Sequence, residues 1–126
     1  MDEIVLDASA LLALINSEPG GELVARSLPS AVISSVNVAE VITKLASRGL
    51  PETEVRGYFG RLDLNIIPFD EEQAYEAGFI VALTKDYGLS LGDRACLGLA
   101  RSRGLTALTA DRAWKRLSLA KVKVVR

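Results

Sequence analysis

Four acids in this sequence stand where an acid needs a reason. Asp7 interrupts the apolar run EIVLDASALLAL (residues 3–14), Glu40 lies in VNVAEV, Asp93 in SLGD and Asp111 in TADRAW. Each has a local reason available. Asp7 and Asp111 can cap the helices expected to begin just after them, and an N-cap is worth about 1 kcal/mol. Asp93 follows Ser90 by three residues, the spacing of a capping box, although Asp is a weaker third residue there than Glu or Gln. Glu40 follows Asn37 by three residues, so the two share a helix face, flanked by Val36, Val38, Val41 and Ile42. An acid so enclosed by apolar neighbours is hard to account for as solvated surface.

If these acids converge, their chemistry is narrow. Two carboxylates about 4 Å apart repel by roughly 4 kcal/mol at an effective dielectric near 20. A convergent set therefore either keeps some members protonated or holds a cation. The chain has no histidine and one cysteine, Cys96. This removes Ser-His-Asp and Cys-His nucleophiles, His-zinc hydrolysis, imidazole acid/base work, intramolecular disulfides and Cys-rich zinc sites. Cys96 falls in an apolar helical pattern and is expected to be a packing residue. Oxygen donors alone select a hard ion, Mg²⁺ or Mn²⁺, and such an ion meets phosphate readily. The chemistry to expect is hydrolysis of a phosphodiester without histidine, using one or two ions.

Positioning these acids requires a fold that brings distant segments to one edge. Short β-branched or apolar runs recur at 3–6 (EIVL), 31–34 (AVIS), 64–69 (LNIIPF), 106–109 (TALT) and 122–125 (VKVV). Helical patterns lie between them at 9–17, 21–28, 36–47, 52–62, 70–88 and 93–104, with Gly49, Pro51, Gly88 and Gly104 as boundary signals. A further helix is expected to carry Trp114. Strands alternating with helices indicate a three-layer α/β fold, a parallel sheet of about five strands with helices on both faces. In the order 3-2-1-4-5 the first and fourth strands are neighbours where the strand order reverses, and ligands bind beyond the carboxyl ends of strands at such a point. Asp7 follows the first strand and Asp111 the fourth, while Glu40 and Asp93 lie on helices that can reach the same cleft.

The remaining composition is that of one globular domain spanning 1–126. Hydrophobic residues make up 49% of the chain and charged residues 25%, with no low-complexity tract and no internal repeat. The start, MDEIVLD, carries acids where a secretory signal would carry basic residues, and no apolar run reaches the roughly 18 residues of a membrane span, so a cytoplasmic protein is expected. Charge is unevenly spread. Residues 1–84 hold 5 Lys/Arg against 13 Asp/Glu, a net −8, and residues 85–126 hold 10 against 3, a net +7. The basic third can follow a phosphate backbone or form a solvated helix face.

The stretches IVLDASALLALI, ISSVNVAEVITKL, LSLGDRACLGLA and ALTADRAW together resemble the PIN-domain ribonucleases, and within them the small VapC-type toxins of toxin–antitoxin pairs. Each motif alone is weak; their order and spacing over essentially the whole chain carry the resemblance. It implies a Mg²⁺- or Mn²⁺-dependent endoribonuclease whose acidic site is Asp7, Glu40, Asp93 and Asp111, all four present. Asp7 and Asp93 resemble the most direct metal ligands, and Glu40 and Asp111 complete the set. Ser9 and Thr109 match the family's hydroxyl residues two after the first acid and two before the last. These two and Asn37 are expected to orient carboxylates or waters, with local capping as the alternative. Arg94 and Arg112 either contact RNA phosphate or balance charge. Trp114 can stack on a base, but is expected to anchor the last helix to the core.

The resemblance further implies an RNA substrate, a cognate antitoxin docked over helices near the cleft, and a homodimer. Apolar surface within 9–28 and 36–62 can serve either protein partner. Two other enzyme classes fit less well. A haloacid-dehalogenase-like phosphatase needs a second Asp two residues after the first, where this chain has Ser9. A phosphoacceptor receiver domain could use Asp70 as acceptor but lacks its paired acids and its lysine. The alternatives to a toxin are a housekeeping RNA-processing nuclease and a PIN-like binding module that retains the acids without cleaving RNA.

Overall fold

A computed structural model describes residues 1–126. The strands β1 (Ile4–Leu6), β2 (Ala31–Ser34), β3 (Asn65–Ile67), β4 (Thr106–Thr109) and β5 (Lys121–Val124) form one sheet in the order β3-β2-β1-β4-β5. Every pairing is parallel, with Leu6 level with Ile33 on one side and Leu108 on the other. This is the expected order, and it puts the reversal between β1 and β4. The third strand is shorter than the run LNIIPF because Pro68 has no N–H to continue the ladder.

Period-two alternation divides the core between the sheet's faces. Leu6, Ile33 and Leu108 pack against α1 (Ala8–Ile15), α2 (Gly21–Ser27), α3 (Ser35–Ser47) and α4 (Glu52–Leu62) through Leu11, Val24, Val41, Leu45 and Val55. Val5, Val32 and Ala107 face the other way, onto α7 (Leu91–Arg103) and the buried Ile80, which follows α5 (Glu71–Phe79). Sheet residues buried on both faces read as continuous apolar runs, as IVL and AVIS do. The turn into α2 depends on Gly20. Its φ is +93°, and an added Cβ would fall 2.6 Å from the Val125 side chain.

Two expected helices are different in the structure. The segment expected as one helix over 70–88 is divided into α5, a single turn α6 (Val81–Thr84) and a 3-10 turn at Lys85–Tyr87, closed by Gly88 at φ +63°. The cause lies at Ile80, whose side chain turns into the core. Its carbonyl accepts from the Leu83 N–H at 2.9 Å and from the buried Thr84 hydroxyl at 2.9 Å, and such side-chain competition breaks the regular helical ladder. The helix expected around Trp114 is a 3-10 turn, Arg112–Arg116. Trp114 is 1% exposed and packs in the second core with Leu97 and Leu117, so it anchors this turn and offers no face to a base. No helix is long and apolar enough to cross a membrane.

Candidate active site

Asp7 occupies the N-cap position of α1, but its side chain makes no cap hydrogen bond. Its Oδ2 instead accepts from the Ser9 hydroxyl at 2.6 Å and the Thr109 hydroxyl at 2.7 Å. Those hydroxyls are themselves fixed, since Ser9 Oγ accepts from the Ala110 N–H at 2.9 Å and Thr109 Oγ1 from the Asp111 N–H at 3.0 Å. One network thus joins the end of β1 to the end of β4, where the sheet order reverses. Asp7 is only 5% exposed. Burial raises its carboxyl above the usual range, the two hydroxyls oppose this, and the charge of Asp93 raises it further.

Glu40, half-buried in the second turn of α3, reaches toward the same place. Ser34 caps α3 by accepting from the Val36 N–H at 3.2 Å, which sets Asn37 in the first turn. Asn37 is wholly buried, and its Nδ2 donates to Glu40 Oε1 at 2.9 Å and to the carbonyl of Gly92, on α7, at 3.0 Å. The Asn37 Oδ1 has no protein partner. Glu40's carboxyl is raised chiefly by burial, with Asn37 opposing and the charges of Asp7 and Asp93 adding to the rise.

Asp93 is held by the capping box that its spacing suggested. Ser90 Oγ accepts from the Asp93 N–H at 3.1 Å, and Asp93 Oδ2 accepts from the Ser90 N–H at 3.0 Å. Beneath the three acids lies Cys96, fully buried, its thiol pushed well up by burial and by the charges of Asp7, Asp93 and Glu40. Asp111 stands slightly apart. It is exposed, caps the Trp114 turn by accepting from the Ala113 N–H at 2.9 Å, and shares with Asp93 a recess of about 100 Å³. The structure therefore brings Asp7, Glu40 and Asp93 into one electrostatic field and sets Asp111 beside Asp93.

The two arginines differ. Arg94 Nη1 donates to the Ala77 carbonyl of α5 at 2.9 Å, tying α7 to α5. Arg112 is exposed, with Nε donating to the Arg126 carbonyl at 3.1 Å. Gly92 lies directly against the Glu40 carboxylate and accepts from Asn37 through its carbonyl, and its only sign in the sequence is a glycine within the first turn of a helix.

The donor set suits a hard divalent cation. The carboxylates, hydroxyls and amide that meet at the site offer oxygen donors, and burial, reinforced by neighbouring acids, disfavours the charged forms of Asp7 and Glu40, a cost that a cation would relieve. No three or more His, Cys, Asp or Glu side chains enclose a ready-made cage. Mg²⁺ does not require one, since it keeps several waters and takes one or two carboxylates.

The architecture is similar to that of a chain in the DNA-bound VapBC from Salmonella typhimurium, with TM-score 0.79, 23% identity and 100% of both chains covered. A toxin–antitoxin complex from Klebsiella pneumoniae gives TM-score 0.74 at 21% identity, covering 98% of each chain. FitAcB from Neisseria gonorrhoeae gives 0.70 at 22% identity, covering 94% of this chain and 95% of that one. At these identities the likeness is one of fold. No curated protein sequence matches the chain significantly. The sequence itself matches the PIN domain family over residues 4–119, from the first strand through the turn that carries Trp114, and the chain belongs to that family.

Proposed function

We propose that this chain is a Mg²⁺- or Mn²⁺-dependent endoribonuclease serving as the toxin of a toxin–antitoxin pair. Membership of a nuclease family supports phosphodiester hydrolysis. The observation that carries the reading is the Asp7 carboxylate, buried at the strand reversal and clamped by Ser9 and Thr109 within the field of Glu40 and Asp93. Both hydroxyls take the same oxygen, Oδ2, which leaves them out of contact with Oδ1. Asp7, Glu40 and Asp93 would hold the ion, with Asp111 completing the set beside Asp93. When bound, a hard divalent ion supplies an acidified water and neutralises charge on the phosphate. Arg112, exposed next to Asp111, is the better placed of the two arginines to meet an RNA phosphate, because Arg94 is committed to Ala77.

The relatives in fold come from complexes named VapBC, toxin–antitoxin and FitAcB, which supports an antitoxin partner here. Two apolar surfaces suit protein partners, the antitoxin and a second copy of the chain. One is a groove of about 430 Å³ between α3 and α4, lined by Ile42, Ala46, Leu50, Val55 and Phe59 among others. The other is the stacked, exposed pair Tyr75 and Phe79 on α5, centroids 6.1 Å apart.

Purified chain is expected to cut RNA with Mg²⁺ or Mn²⁺, to stop in EDTA, and to lose cleavage in Asp7→Asn with circular dichroism unchanged. Equal cutting by Asp7→Asn would overturn the assignment. Growth arrest on expression, relieved by the product of an adjacent small gene, tests the toxin role separately.

A further inference from the structure

Gly92 lies in the first turn of α7, immediately before Asp93. Its φ is not positive, so the backbone does not require glycine there. Glycine is also a poorer helix former than alanine. What the position does require is the absence of a Cβ. The three heavy atoms nearest to an added Cβ are Oε1, Oε2 and Cδ of Glu40, all well inside van der Waals contact. The Glu40 carboxylate thus occupies the space that any other residue's side chain would fill. Asn37 ties the same two residues a second time, through its bonds to Glu40 Oε1 at 2.9 Å and to the Gly92 carbonyl at 3.0 Å. Turning that amide over would set Oδ1 against two acceptors, so both N–H donors are committed to this bridge between α3 and α7.

We infer that Gly92 is a positioning residue of the nuclease site: its bare α-carbon is the seat on which the Glu40 carboxylate, latched by Asn37, is held beside Asp93. The inference rests on the reading of Glu40 and Asp93 as metal-holding acids. An added methyl meets the flexible end of a side chain, so Gly92→Ala evicts the carboxylate without requiring the backbone to move.

The test is Mn²⁺ binding to the purified chain, followed by electron paramagnetic resonance, together with the thermal midpoint of the metal-free protein. Gly92→Ala is expected to weaken Mn²⁺ affinity by about 10–100-fold, the usual cost of losing a partner that orients a ligand. Its thermal midpoint should be unchanged or higher, because alanine favours the helix. In a Glu40→Ala background the same substitution should leave the remaining Mn²⁺ affinity unchanged and raise the midpoint. Full Mn²⁺ affinity in Gly92→Ala would overturn the inference. So would an equal loss in both backgrounds, or a lowered midpoint in both, which would mean that the glycine serves packing. If Glu40→Ala alone kept full affinity, the metal reading of Glu40 would fail and take the latch with it, a result distinct from the other three.

Discussion

Burial lifts the Asp7 carboxyl, and the Ser9 and Thr109 hydroxyls draw it back without cancelling the rise; Glu40 follows the same pattern with Asn37 as the opposing group. The folded state therefore holds a proton on these acids more tightly than the unfolded chain does. Stability from this source increases as the pH falls from neutrality through the raised folded values, and the gain is complete below the ordinary values of 3.8 and 4.5. Above the folded values the penalty is constant. Urea midpoints of the metal-free protein should accordingly climb as pH is lowered toward the carboxylate range. Asp7→Asn should be more stable than the parent at pH 7 and show a flatter profile. Parallel profiles for the two proteins would rule out Asp7 as the source. Ser9→Ala and Thr109→Val test the clamp itself. Each should lower Mn²⁺ affinity and RNA cleavage about 10–100-fold. Thr109→Val should also cost about 1–3 kcal/mol in urea unfolding, because Asp111's N–H loses its acceptor in a part-buried site.

Among the elements, α7 does the most to assemble the site. Its first turn presents Asp93 through the Ser90 capping box, its Gly92 meets Glu40 and Asn37 of α3, and Arg94 ties it to α5. Ser90→Ala should cost about 1 kcal/mol of stability, the usual worth of an N-cap. Cleavage should fall no further than that stability loss explains, because Asp93 Oδ2 accepts from the backbone N–H of residue 90, which alanine keeps. A drop in cleavage well beyond the loss of stability would show that the Ser90 hydroxyl itself positions Asp93. The Trp114 turn plays a different part. It closes the second core beneath Asp111, so Trp114→Ala should cost about 3–5 kcal/mol through the cavity left behind.

Across the molecule, the −8 of residues 1–84 and the +7 of residues 85–126 set acidic and basic segments on one small surface. A cation at the reversal point would relieve the first imbalance locally, and the second would favour a polyanion. Saturating Mg²⁺ should stabilise the folded chain by linkage, about 2.7 kcal/mol at a concentration 100 times its Kd. EDTA should remove the gain, and Asp7→Asn should not show it. RNA binding should weaken steeply with salt, with a slope reduced by about 1 on replacing Arg112 if that side chain meets a phosphate.

Much of this was open to inspection in the residues themselves. Apolar runs interrupted by helical periods require a parallel sheet covered on both faces. The absence of histidine leaves oxygen donors to do any hydrolysis, and the ordered acid motifs resemble one family over the whole length. Local signals acting within a single turn were legible for the same reason: the Ser90–Asp93 box and the Asp111 cap involve neighbours two or three residues apart. Packing decided the rest. Asp7 stands at the N-cap of α1 yet gives the helix no side-chain bond, because its Oδ2 is taken by the hydroxyls of Ser9 and of Thr109, 102 residues away along the chain. The helix expected over 70–88 breaks where the core draws in Ile80 and Thr84. Gly92 is unremarkable in SLGD until Glu40, from another helix, is found resting on it. Periodicity and caps are fixed by near neighbours along the chain, whereas the partners of a carboxylate are fixed by which elements the core brings together.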